Sequence, residues 1–255
     1  MITRIRAIAV ATFREAVRDR VLLIVLMFAI GMVLASRVLG WLSIEDPLKM
    51  VQDFSLSGIN LLGLFLAMLV GASSLAREVE RRTVYSVLTR RATRSEFIVG
   101  KFAGLVGVFW LCQIGAFLCM VAWLMIWGGG FSEALVAALI GMLLEVVVLT
   151  SVALFMGALA APALAAVGTC VFYLAGHGAE ALRELSSGER GHEFGALFEV
   201  LYRVIPNLEN LNFMNHTTSG TPVIWADLGM GAVYAAVISA AFLAGATYLF
   251  SRRQF

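Results

Sequence analysis

Residues 75–101, LAREVERRTVYSVLTRRATRSEFIVGK, concentrate the groups that could dock a partner or bind an anion. Seven of the 19 Lys and Arg residues fall here, interleaved with Glu78, Glu80 and Glu96. A minimal topology signal needs only about two or three cations. This density of mixed charge suits a complementary docking surface instead. The segment does not suit nucleotide hydrolysis. Gly100-Lys101 has the ending of a phosphate-binding loop, but that motif requires Gly at position 95 and Ser or Thr at 102, where the chain has Ser95 and Phe102. His192-Glu193 has the start of a zinc-protease helix, yet its second His would fall at Ala196. No Ser-His-Asp grouping is apparent, so the chain is expected to be non-catalytic.

Three further sets of residues bear on chemistry. Glu145 lies about eleven residues into a predicted apolar span, where a carboxylate is costly and faces a partner or a wet cavity. Two roles stay open for it: lining a substrate path or moving a proton, or a hydrogen bond between helices or subunits. His177, His192 and His216 all fall within 177–223, with Met214 two residues from His216. Imidazole and thioether suit copper. His192, His216 and Met214 are therefore the candidates for metal contact, but they form no compact motif, and no cofactor is expected in this chain. Cys112, Cys119 and Cys170 lie in predicted spans and read as packing thiols rather than a disulfide framework.

The elements that position these residues follow from composition. The 255 residues are 60% hydrophobic and 14% charged. A soluble domain carries about 25% charged residues. The apolar excess arrives in long runs, so the fold class is all-α, a polytopic membrane protein with a single membrane domain over 21–255. Residues 1–20 form a basic amphipathic helix: Ile2, Ile5, Ala9, Phe13 and Ala16 share one face and Arg4, Arg14, Glu15 and Arg18 the other. Such a helix lies in the headgroup plane as an interfacial elbow. Its basic stretch is too long for the n-region of a cleaved signal peptide. Six spans follow, at about 21–36, 57–75, 102–127, 134–160, 163–176 and 224–250, the fifth being short. The loop joining spans four and five is little more than Ala161-Pro162, and the glycines at 128–130 make a tight turn.

Charge orients the spans. Fourteen Lys and Arg residues lie on one side, in 1–20, 76–101 and the tail; the other side holds Arg37, Lys49, Arg183, Arg190 and Arg203. Both termini are thus expected in the cytoplasm, in a multi-pass protein of the cytoplasmic (inner) membrane. The segment 177–223 is then extracytoplasmic and acidic, with an amphipathic helix predicted after Phe194. Span two is expected to continue as a helix through Ala76, Glu78, Arg82 and Ser86. A new helix starts at Thr93-Arg94-Ser95-Glu96, a capping box.

These residues carry a resemblance. The segment 76–101 resembles the first cytoplasmic loop of permease subunits of ABC-2 type ATP-binding-cassette transporters, matching at Glu78, Glu80, Thr83, Leu88, Arg94, Gly100 and Lys101. It departs where the family often has a turn proline, since Arg91 or Ala92 stands there. The elbow helix, six spans and long outer segment fit the same family, and the closest likeness is to its copper-enzyme-maturation subgroup. The resemblance implies a dimer of permease subunits, identical or different. Each would hold a cytosolic ATPase subunit that binds ATP and Mg and drives transport, with export as the implied direction. The expected ATPase contacts are Glu78, Glu80, Arg81, Arg82, Thr83, Tyr85 and Thr89. Partners beyond the ATPase, the second permease and the lipid bilayer include an extracytoplasmic protein docked on the outer segment; nucleic acid is not expected. Two other readings stay open. One is a secondary transporter or channel without an ATPase, favoured by several buried ionisable residues or an internal inverted repeat, where the sequence offers one buried acid and no clear repeat. The other is a membrane assembly factor.

Overall fold

Long apolar runs in lipid must satisfy their backbone internally, and helices do so within one segment. The computed structural model describes residues 2–40, 47–80, 93–178, 206–215, 217 and 222–252. In chain order these form α1 (Ile2–Val17), α2 (Arg20–Gly40), α3 (Pro47–Phe65), a π-helical segment (Leu66–Gly71), α4 (Ala72–Glu80), α5 (Arg94–Ile126), α6 (Glu133–Leu159), α7 (Pro162–His177), a 3-10 turn (Glu209–Leu211) and α8 (Trp225–Arg252). No strand occurs among the described residues.

Among the described residues, four stretches are long and apolar enough to cross a membrane: Pro47–Ala76, Arg94–Ile126, Glu133–Leu159 and Trp225–Arg252. A fifth is added if α1 and α2, bent by 63° where they join, count as one broken span. α7 has 16 residues, about 24 Å of helix, against a hydrocarbon core of about 30 Å. The helix holding the predicted second span starts ten residues earlier than expected, at Pro47 rather than 57. Its first turns escaped the apolar count because Lys49, Gln52 and Asp53 break it. Val51, Ser55 and Leu56 still bury one face.

α6 is the central helix, packed on α3, α4, α5, α7 and α8. It is apolar on every side, as a helix enclosed by others must be. Thr150 and Ser151 are buried there but bond back to the carbonyls of Val146 and Val148, at 2.6 and 2.7 Å. The outward faces are also apolar: Leu23, Ile24 and Met27 on α2, Leu164, Val167 and Val171 on α7, and Met230, Val233 and Val237 on α8 are exposed. An apolar perimeter around helices of this length is the surface of a membrane-embedded protein.

Between α3 and α4 the helix widens. The amide of Ala72 bonds the carbonyl of Ala67, five residues back, which inserts a residue without ending the helix. The predicted continuation of this helix through Arg82 and Ser86 lies outside the described residues, and α5 starts on the predicted capping box at Thr93. The Thr93 hydroxyl accepts the Glu96 amide at 3.3 Å, and the Glu96 carboxylate accepts the Thr93 amide at 3.0 Å. Losing this cap costs about 1 kcal/mol. Thr93→Ala is expected to lower the melting temperature of the purified protein, and Thr93→Ser to restore it; equal melting of all three would show the cap to be dispensable.

The amphipathic face of α1 meets a helix of its own chain. Ile5, Ile8, Ala9, Thr12, Phe13 and Ala16 turn inward against α5, whereas Ile2 is 78% exposed. Gly100, Gly104 and Gly107 form a stripe at helical spacing on α5 that receives Ile8, Ala9, Thr12 and Phe13. Bare backbone on one helix lets the other approach this closely. The sequence pattern identified most of the apolar face but not what covers it.

Candidate functional site

Two places bring together the residues singled out above. The first is the arginine-rich end of the bundle. Glu78 and Glu80 lie on α4. The other proposed ATPase contacts, Arg81, Arg82, Thr83, Tyr85 and Thr89, lie outside the described residues. Both helices flanking 81–92 are anchored. α4 packs on α6 and α7. On the other side, Arg94 donates from Nη1 to the carbonyls of Phe250 and Ser251, at 2.7 and 2.8 Å. Phe97 stacks on Phe250 with ring centroids 6.1 Å apart. Arg4 of α1 reaches Glu96 at 4.0 Å. The start of α5 thus joins α1 to the end of α8. Lys101 is 2% exposed, with Nζ 5.5 Å from the Phe97 ring centroid. Lys101 is therefore a buried packing residue at this junction.

The second place surrounds Glu145, whose side chain is 3% exposed. α6 and α7 are joined by Ala160 and Ala161 and run antiparallel, so Leu159 lies level with Pro162. His177 follows Pro162 by fifteen residues and comes level with residue 144, next to Glu145. His177 Nε2 and Glu145 Oε1 stand 3.6 Å apart. His177 was expected in the outer segment; it is instead the last residue of α7, held inside the bundle because α7 is short. Its Nδ1 faces the Tyr173 carbonyl at 3.3 Å. From α3, Asn60 donates to the Tyr173 hydroxyl at 3.3 Å and also hydrogen-bonds the Glu145 carboxyl group.

Part of the chain beyond α7 packs back against the bundle near the end of that helix. The Leu208 amide bonds the Gly176 carbonyl at 3.1 Å. Leu208 and Leu211 are buried. The Leu211 carbonyl sits against Gly141 of α6, and the Leu211 side chain against Gly231 of α8. Non-helical backbone at this depth needs protein around it. Its own polar groups are paired locally: the Glu209 amide to Asn207 Oδ1 at 2.9 Å, and Asn212 Nδ2 to Glu209 Oε1 at 2.8 Å. Glu209 is close enough to act electrostatically on Glu145 and Tyr173. The segment 177–223 therefore has at least one part inserted in the bundle. The helix predicted after Phe194 lies outside the described residues.

Of the metal candidates, His192 and His216 lie outside the described residues, and Met214 packs against the core. Among the described residues no group of three or more His, Cys, Asp or Glu side chains could hold a metal ion. An open groove of about 400 Å³ lies beside the inserted segment, lined by Asn210, Asp227, Met230, Gly231 and Tyr234. Asn60, Tyr173 and Glu209 were not singled out from sequence. Asn60 carried a signal nonetheless, as an amide within a predicted span. Gln113 carried the same signal: it is fully buried, with neither amide atom hydrogen-bonded among the described residues, and packs over Gly63. No protein-family model matches the chain, and no curated protein matches it.

Proposed function

We propose that this chain is the transmembrane permease subunit of an ABC-2 type ATP-binding-cassette transporter, coupling ATP hydrolysis in a separate cytosolic subunit to export. The observation that carries the reading is the anchoring of both ends of the charged segment. α3, the π-helical segment and α4 run without a break from Pro47 to Glu80. α5 restarts on a capping box at Thr93. A partner pressing on 81–92 would act on two levers, one packed on α6 and α7, the other tied to α1 and α8. Rigid elements of this kind transmit domain motion. Glu78, Glu80, Arg81, Arg82, Thr83, Tyr85 and Thr89 would make the contact. The dimer of permeases, the cytoplasmic placement of both termini and the six-pass topology belong to the same proposal.

Affinity capture of the tagged protein from native membranes tests it. Recovery of an ATP-binding-cassette subunit with the wild type, and its loss with Glu80→Arg/Thr83→Arg, is the expected result. A folded protein that brings down no ATPase would overturn the reading. A second reading, a transporter driven without an ATPase, is favoured by one observation: Glu145, His177 and Glu209 gather around the end of α7. Buried ionisable groups that face one another mark ion or proton paths in membrane proteins.

A further inference from the structure

We propose that Glu145 and His177 together form a proton-binding site, holding one proton between carboxyl Oε1 and imidazole Nε2 in the core of the bundle. The argument starts from the imidazole. Nδ1 faces the Tyr173 carbonyl at 3.3 Å, and a carbonyl can only accept, so Nδ1 carries hydrogen. In the neutral ring Nε2 is then a bare lone pair. That lone pair faces Glu145 Oε1 at 3.6 Å. Both atoms are buried, and neither has another hydrogen-bond partner among the described residues. Without a proton between them, two acceptors would confront each other away from water, which is costly for each. One proton turns the pair into a donor and an acceptor, on whichever atom it resides.

The neighbours favour a proton over fixed neutralisation. No lysine or arginine among the described residues pairs with Glu145. α7 contributes Tyr173 and His177, with Cys170 near Tyr173. The inserted segment contributes Glu209. α3 contributes the neutral Asn60, and α5 the neutral Gln113, which packs on Gly63. On α8, Asp227 and Tyr234 line the groove together with Asn210 of the inserted segment. Loss of the proton leaves a carboxylate facing Glu209, which rides on the segment seated against Gly141 and Gly176. The proton count of the pair thereby bears on how that segment sits.

The test uses the full-length protein in lipid nanodiscs and two spectroscopies at about pH 7. Infrared difference spectra report a protonated carboxyl group, assigned by its loss in Glu145→Gln. Nitrogen-15 spectra of labelled histidine report ring protonation, assigned by loss of the signal in His177→Gln. The expected result is either a carboxyl band that Glu145→Gln removes, or an imidazolium signal from His177 that Glu145→Gln abolishes. Raising the pH to about 10 removes whichever signal is present, with a midpoint independent of whether sodium or potassium is the salt. A wild-type protein showing ionised Glu145 beside neutral His177 at pH 7 overturns the proposal, and so does a midpoint that moves with sodium concentration, which would make the site one for a metal cation. If either variant fails to fold, Glu145→Asp assigns the carboxyl band by shifting it, and His192→Gln/His216→Gln leaves His177 as the only one of the three histidines, so the pair is still read.

Discussion

Gly104→Val is expected to lower the melting temperature of the purified protein by about 10 °C and to open α1 to trypsin at Arg14. A Cβ at position 104 would lie 2.5 Å from the Ala9 carbonyl oxygen and 2.8 Å from Thr12 Cβ. The first of these is backbone, so no rotamer change relieves it. α1 must move off α5, giving up the burial of Thr12 and Ala16 and the packing of Ile8 and Phe13. Overpacking of this severity costs about 3 kcal/mol. Gly115 on the same helix is the control. A Cβ there meets nothing within 4 Å, so Gly115→Ala gains helix propensity of about 1 kcal/mol and leaves α1 protected. Equal trypsin sensitivity in the Gly104 variant and the wild type would mean that α1 does not depend on the glycine stripe.

Gly141→Val tests the inserted segment in the same way. The Leu211 carbonyl lies against the α-carbon of Gly141, and a Cβ would meet Phe213 Cδ2 at 2.8 Å. The segment cannot stay seated with a branched side chain beneath it. The amides of Leu208, Leu211 and Asn212 are hydrogen-bonded at 3.1, 2.9 and 3.0 Å. In Gly141→Val they are expected to exchange at least about tenfold faster in hydrogen–deuterium exchange, with α5 amides unchanged. Unchanged exchange at 208–212 would show that α6 and α8 hold the segment without the close approach. Because Glu209 rides on this segment, the variant should also change the spectroscopic signals of the Glu145–His177 pair.

Much of the helical architecture was legible along the chain. Apolar runs gave most of the helices, and their bounds fell within a few residues except at Pro47, where three polar residues on an exposed or half-buried face hid the first turns, and at Arg94, which precedes the apolar run of the third predicted span. Thr93 and Glu96 announced the start of α5 because a capping box is a contact between residues three apart. Glu145 stood out because a carboxylate in an apolar run is conspicuous. Its partner was harder to see. The two-residue link between α6 and α7 puts residue 177 level with 144, yet that count needs both helix ends, and the sequence left the end of α7 uncertain.

What the sequence by itself determined is local: helices, caps, the apolar face of α1 and the conspicuous acid, all set by the 3.6-residue period and by neighbours within a turn or two. Only the tertiary structure decided which groups meet. Asn60 and Tyr173 are 113 positions apart, and Arg94 and Phe250 are 156 apart. The chain has 24 glycines, and composition does not say which admit a neighbour. Gly104 and Gly141 do because α1 and the 206–213 segment approach bare backbone there, whereas Gly115 faces open space. Such choices depend on the packing of segments far apart in sequence, where steric fit between surfaces decides the outcome and no local period records it.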